Sequence, residues 1–153
     1  MKAKVINRMV ARKVLTDYMA VDLDSYTAID DDAAGLLSKC IFGLELRGLA
    51  ELSDEAANGL GRRKGGDLDL SGLKSLSILA AKALAGTEGI LMLCGLKEIS
   101  NEVAVALLEH KGPLNLSGLT SVTDTVARVL AKIPELAVNG QIQSMIDKLS
   151  KGA

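Results

Sequence analysis

The chain repeats itself about every 23 residues. An apolar-x-apolar tripeptide followed by x-Gly starts at Val21, Leu44, Leu68, Leu91, Leu114 and Leu136, with separations of 23, 24, 23, 23 and 22. The glycine is Gly48, Gly72, Gly95, Gly118 or Gly140, and Ser25 replaces it in the first unit. Leu49, Leu73, Leu96 and Leu119 follow, with Tyr26 in the first unit. A second apolar position comes next (Ile29, Leu52, Leu76, Ile99, Val122), then a helix-capping type (Asp30, Ser53, Ser77, Ser100, Thr123). A period of this length is the signature of stacked supersecondary units, each too small to bury its own apolar face.

Each column has a physical reading. Two apolar residues at spacing two share one face of a short strand. The glycine turns the chain, at a φ expected to be awkward for other residues. The Asp, Ser or Thr then accepts a hydrogen bond from a free N–H at the start of a helix. Asp31, Asp32, Asp54, Glu55, Glu102 and Asp124 place negative charge in the first turn, where the macrodipole favours it. Within the helix, Ala34, Ala57, Ala81, Ala104 and Ala127 recur three residues before Leu37, Leu60, Leu84, Leu107 and Leu130, an inward-facing pair with a small member for close packing. Gly65, Gly66, Gly89 and Gly112 release the chain into the next strand. The expected fold is α/β: a right-handed coil of β-turn-α units with a short parallel sheet on one side and helices on the other.

The stretches LNLSGLTSVTDTVARVLA and LMLCGLKEISNEVAVALLE resemble the leucine-rich repeat, over residues 21 to 140. The resemblance is closest to the cysteine-containing subtype, with its L-x-L-x-x-C-x-x-I-T-D-x-x-L pattern. Here Leu73, Leu96 and Leu119 stand where that subtype has Cys and others have Asn. An apolar spine is therefore expected in place of an asparagine hydrogen-bond ladder. The resemblance implies a solenoid and a protein-binding role, with partners that vary widely within the family.

The organisation expected is an N-terminal capping helix over 1–20, five complete repeats and a sixth strand over 21–140, and a C-terminal capping helix over 141–153. Residues 1 to about 20 lie outside the repeat. Val5, Ile6, Met9, Val10, Val14, Leu15 and Tyr18 mark one helical face there, and Lys2, Lys4, Arg8, Arg12 and Lys13 mark the rest. A basic amphipathic helix can lie on an anionic membrane, but covering the first unit's open core is the reading preferred. At the other end, Ile142, Met145, Ile146 and Leu149 fall at helical spacing.

Composition narrows the function. Apolar residues make up 48% of the chain with one Phe, two Tyr and no Trp, so the core is aliphatic. A net charge of −1 supplies no field to hold a polyanion, so nucleic acid is not an expected partner. No apolar run approaches the roughly 18 residues of a membrane span, and no membrane partner is expected. Cys40 and Cys94 read as free thiols suited to a reducing, cytoplasmic compartment.

Catalysis has little support. His110 is the single histidine, in EHKGP at a helix end, and is expected to be exposed. No nucleophile elbow, phosphate loop or cluster of metal ligands is present, so neither catalytic residues, cofactor nor metal are assigned. Arg62, Arg63 and Lys64 are read as cations complementing a helix C-terminus.

The outward strand positions remain as candidate partner-binding residues: Asp22, Asp24, Glu45, Arg47, Asp69, Ser71, Met92, Cys94, Asn115 and Ser117, followed by Ala137 and Asn139. Their first half is largely acidic and their second neutral to apolar, which suits a basic-then-apolar protein or peptide. Six strands spaced about 4.8 Å apart with about 10 Å of useful length offer roughly 300 Å². A standard interface takes about 800 Å² per partner, so a firm partner must also use rims or an end. The expected function is a non-catalytic protein–protein interaction module using this face and its adjoining turns. The alternative is a structural or self-assembling unit, a homo-oligomer stacked through its ends without a groove ligand.

Overall fold

The computed structural model describes residues 2–152. Strands β3 (Leu44–Glu45), β4 (Leu68–Asp69), β5 (Leu91–Met92), β6 (Leu114–Asn115) and β7 (Leu136–Ala137) form a five-stranded parallel sheet in chain order. Equivalent repeat positions pair, Leu44 with Leu68, then Leu91, Leu114 and Leu136. Helices α3 (Asp54–Leu60), α4 (Ile78–Leu84), α5 (Asn101–Leu107) and α6 (Asp124–Leu130) alternate with the strands. They follow α1 (Arg8–Thr16) and α2 (Asp31–Leu37) and precede α7 (Gly140–Lys151), and each packs on the next in sequence. The chain is α/β with a repeating arrangement, as its period implies.

The core follows the columns. The Ala and Leu columns of the helices are wholly buried, and so is the spine Leu49, Leu73, Leu96 and Leu119. Each spine residue closes its own turn, its N–H donating to the carbonyl three residues back at 3.1–3.2 Å. With every unit burying several Leu, at about 1.5–3 kcal/mol each, stacking is favoured over isolated units. Ser53, Ser77, Ser100 and Thr123 cap their helices, accepting from Ala56, Ala80, Val103 and Val126 at 2.9–3.2 Å. Ser53 Oγ also donates to Asp31 of the preceding helix, and Ser77 Oγ to Asp54. Asp30 holds the same position, but its side chain makes no capping bond.

Three expectations change. The sheet has five strands and not six, because Val21–Leu23 forms no strand. Two 3₁₀ turns, Tyr18–Ala20 and Leu23–Ser25, occupy this stretch. Ser25 Oγ donates to the Asp22 carbonyl at 2.8 Å and the Tyr26 N–H to Leu23 at 3.1 Å, so local bonds replace ladder bonds. Leu23 still inserts into the core.

Gly48, Gly72, Gly95 and Gly118 are needed for closeness, not for an unusual φ, while a Cβ at Gly140 would meet nothing within 4 Å. Positive φ occurs only at Gly66 (68°) and Gly89 (84°) among the described residues. A Cβ on Gly72 would strike the carbonyls of Arg47 and Leu49, and one on Gly118 the carbonyl of Cys94. The stacked turns touch backbone to backbone.

Over the described residues 2–20, the segment expected as a capping helix is neither wholly helical nor foreign to the repeat. Val5–Ile6 forms β1, parallel to β2 (Ala28–Ile29). Ile6, Asn7, Ala11 and Val14 stand 23 residues before Ile29, Asp30, Ala34 and Leu37, and Asn7 caps α1 by accepting from Met9 and Val10 at 3.0 and 3.1 Å. Ile6, Ala11 and Val14 are buried in the common core. The other end shortens the same scheme. Asn139 ends the last strand segment and directly caps α7, accepting from Ile142 at 3.1 Å while its amide donates to the Ser117 and Leu119 carbonyls.

Candidate functional site

The β3 end of the outward strand face gathers most of the charge. Inward Leu44, Leu46, Leu68 and Leu70 are buried, so the alternating residues face out. At their centre Arg47 spreads its guanidinium over three carboxylates. Nη1 lies 3.2 Å from Asp24, Nη2 2.5 Å from Glu45, and Nε 2.8 Å from Asp69. Asp24 also accepts the Arg47 N–H at 3.0 Å, and Asp69 accepts the Ser71 N–H at 2.9 Å. The hydrogen bond that Arg47 donates to Asp69, helped by the Asp24 charge, raises the Arg47 pKa above its ordinary value.

The structure therefore brings Asp24, Glu45, Arg47 and Asp69 together. Asp69 belongs to the outward set but is buried beneath Arg47, so only Asp22, Asp24 and Glu45 of the four acids offer surface. Met92 joins this cluster from the next strand. Ser71, Cys94 and Asn115 are half-buried and Ser117 is exposed. Asn115 spends its side-chain oxygen on the Ser117 N–H at 3.0 Å, so the second half offers a partner few free groups.

Four residues outside the alternation complete the cluster. Tyr18 and Phe42 pack ring against ring, with centroids 4.8 Å apart and planes tilted by 57°. Met19 and Ile41 beside them in sequence are 87% and 78% exposed. One depression, of about 220 Å³, is lined by Tyr18, Met19, Asp22, Asp24 and Glu45 among others. A second, of about 360 Å³, is lined by Tyr18, Phe42, Glu45, Arg47, Asp69 and Met92 among others. Tyr18 and Glu45 border both. Burial raises the Tyr18 phenol above its ordinary value, and the Glu45 and Asp24 carboxylates add to this. A usable signal existed in the repeat itself. Ile41-Phe42 stands before β3 where later units place Gly65-Gly66, Glu88-Gly89 and Lys111-Gly112.

Behind this rim lies a buried column at the turn after each helix: Cys40, Arg63, Thr87, His110 and Ile133. Arg63 is not an exposed cation at a helix end. It is 0% exposed, donating from Nη2 to the Phe42 carbonyl at 2.5 Å and from Nη1 to the Asp67 carbonyl at 3.2 Å. Burial pushes its pKa down, while Cys40, Asp67 and Tyr18 oppose that shift. Burial likewise pushes the Cys40 thiol up, and Arg63 opposes it. His110 is 4% exposed rather than solvated, with neither ring nitrogen hydrogen-bonded. The periodic position that buries Cys40 and Ile133 also takes in these polar side chains.

Other surfaces mix apolar and charged side chains, with Lys82, Glu102 and Glu109 beside Ile78 and Val105, and Lys74 and Glu98 beside Leu76 and Ile99. Ile78, Leu79 and Val105 are exposed on α4 and α5, and Leu76, Ile99 and Val122 line a groove along the capping rim. Among the described residues, no group of three or more His, Cys, Asp or Glu side chains is placed to hold a metal ion. No helix among them is long and apolar enough to cross a membrane. Compared with family models, curated proteins and solved structures, the chain has no significant match.

Proposed function

We propose that the chain is a leucine-rich-repeat-like right-handed solenoid, acting without catalysis as a protein–protein interaction module through its outward strand face and adjoining turns. One observation carries this reading. Exposed Met19 and Ile41, the Tyr18–Phe42 pair and the Arg47 cluster adjoin one another at one end of the sheet. Aromatic residues, Met and Arg are the types enriched in contact hot spots. The rim also adds area that the two-residue strands lack. Two free thiols, one buried and one half-buried, support a reducing, cytoplasmic setting.

Peptides selected from a random display library against the folded protein test the reading. They are expected to lose binding to an Asp22→Lys, Glu45→Lys, Met92→Lys variant, all three changes lying on the outward face. Selected binders that keep full affinity for this variant would refute the outward-face role.

The alternative, a self-assembling unit, draws support from β7, which is paired on one side only. Light scattering separates the two. Growth with protein concentration that Val138→Pro abolishes favours assembly over the proposed role, since Leu46 and Leu70 at the equivalent position donate to the next strand and β7 has none.

A further inference from the structure

The two depressions that share Tyr18 and Glu45 differ in what they offer. The first is open to Asp22, Asp24 and Glu45; the second has Phe42 and Met92 in its wall. Asp22, Asp24, Glu45, Asp67 and Asp69 all line one or the other, and Arg47 is the only basic residue that does, so the surface is strongly acidic. Arg47 is itself more than two-fifths exposed, as is Glu45, and Asp24 is about one-third exposed. Ion pairs this open are weak and exchange readily for an incoming cation. The contact with Asp69, whose side chain is only 10% exposed, is the one that holds.

We infer that this end of the outward face binds an extended segment carrying Lys or Arg two positions from an apolar residue. The cation displaces Arg47 from Asp24 and Glu45, and the apolar side chain lies on the Tyr18–Phe42 pair. Spacing two puts both side chains on one face of an extended chain, matching depressions that sit side by side. Arg47 stays tethered to Asp69 and acts as a built-in competitor, so a partner without a positive charge gains nothing from the carboxylates. The inference rests on the proposed contact role of the outward face and specifies the partner's chemistry.

Amide NMR titration with acetyl-Ser-Lys-Ser-Leu-Ser-amide, and with the same peptide carrying Gln for Lys, tests it. Shifts are expected at Tyr18, Phe42 and Glu45 with the Lys peptide, weakened at least about fivefold by the Gln replacement, as for one or two partly exposed ion pairs. Arg47→Gln is expected to tighten the Lys peptide by freeing Asp24 and Glu45. A purely structural Arg47 would leave binding unchanged or weaker. Arg47→Lys, which keeps a cation for Asp69 but cannot span three carboxylates, is expected to tighten it less and serves if Arg47→Gln does not fold. Equal affinity for the Lys and Gln peptides, or no gain in either Arg47 variant, overturns the inference. Shifts confined to Met92, Asn115 and Ser117 overturn it while leaving the broader outward-face role intact. Shifts only at Ile78, Val105 or the Leu76–Ile99–Val122 groove count against both.

Discussion

Strands β4, β5 and β6 each pair on both sides, their turns are closed by glycines pressed against the preceding backbone, and their spine is leucine throughout. The N-terminal segment and the first unit keep the period but not the pattern. A pair of 3₁₀ turns replaces a strand, Ser25 and Tyr26 stand for Gly and Leu, and Ile41-Phe42 stands where glycines come later. The regular region satisfies its backbone through the ladder, supplemented by Asp69 and Asn115, which accept the Ser71 and Ser117 N–H groups. The irregular region uses side chains instead, with Asp24 bonded to the Arg47 N–H and Ser25 to Asp22. Met19, Ile41 and Phe42 are exposed there beside the Asp24 carboxylate, while Ile78, Leu79 and Val105 are exposed on the helices of the regular region. Departure from the repeat marks where aromatic and acidic side chains meet at the surface, and the repeat's own exposed apolar residues lie on its helices.

The largest expected effect sets one region's glycine against the other's. Gly118→Ala puts a methyl into the Cys94 carbonyl between two paired strands and is expected to cost about 3 kcal/mol or more in urea unfolding. Gly48→Ala faces the carbonyls of Asp24 and Tyr26, on a segment held by no ladder, and should cost measurably less. Equal costs would erase the distinction between the regions. Gly35→Ala is the control. Nothing lies within 4 Å of its Cβ, so the helix should gain about 0.5–1 kcal/mol.

Helix caps give the next effect. Ser100→Ala removes a cap and should cost about 1 kcal/mol. Ser77→Ala also removes the hydroxyl bonded to Asp54 and should cost more, since that relay runs from Asp31 through Ser53 and Asp54 to Ser77 and stops where α4 begins with Ile78. Identical unfolding midpoints for the two variants would remove the relay from the account.

The smallest effect is alkaline. Cys40 in the first unit and Tyr18 in the segment before it have pKa values raised above 9.0 and 10.0. Above those ordinary values the unfolded chain has released protons that the folded chain retains. Stability is therefore complete below about pH 9 and falls as pH rises through the raised values. Urea midpoints at pH 7.5 and 10 should differ, and Cys40→Ala should shrink the difference. A Cys40→Ala protein with an unchanged slope would take the thiol out of the explanation.

The columns were legible because they recur. Leu73, Leu96 and Leu119 identify one another, and so do the alanines and the capping residues. What was hidden lay where a column changes chemistry. Cys40, Arg63, Thr87, His110 and Ile133 share no residue type, so Arg63 read as a cation complementing a helix end and His110 as exposed, although the backbone carries both inward. Ile6, Ala11 and Val14 fit the period but lack the L-x-L strand that announces a unit. At the candidate site, alternation alone assigned Asp24, Glu45, Arg47 and Asp69 to one face. That Arg47 would fold over Asp69 depends on a long side chain's path, which spacing does not encode.

Arg63 joins the two halves of this picture. It touches no solvent, yet one of its two carbonyl partners belongs to Phe42 and the other to Asp67, whose carboxylate in turn receives the Ile90 N–H. The loop carrying the aromatic rim is thus fastened from within, to a strut that no partner can reach. A sequence change at this invisible position would leave every outward-facing residue in place and still let the rim drift. Such a variant is expected to lose stability as well, because it leaves a cavity and two carbonyls without their donor.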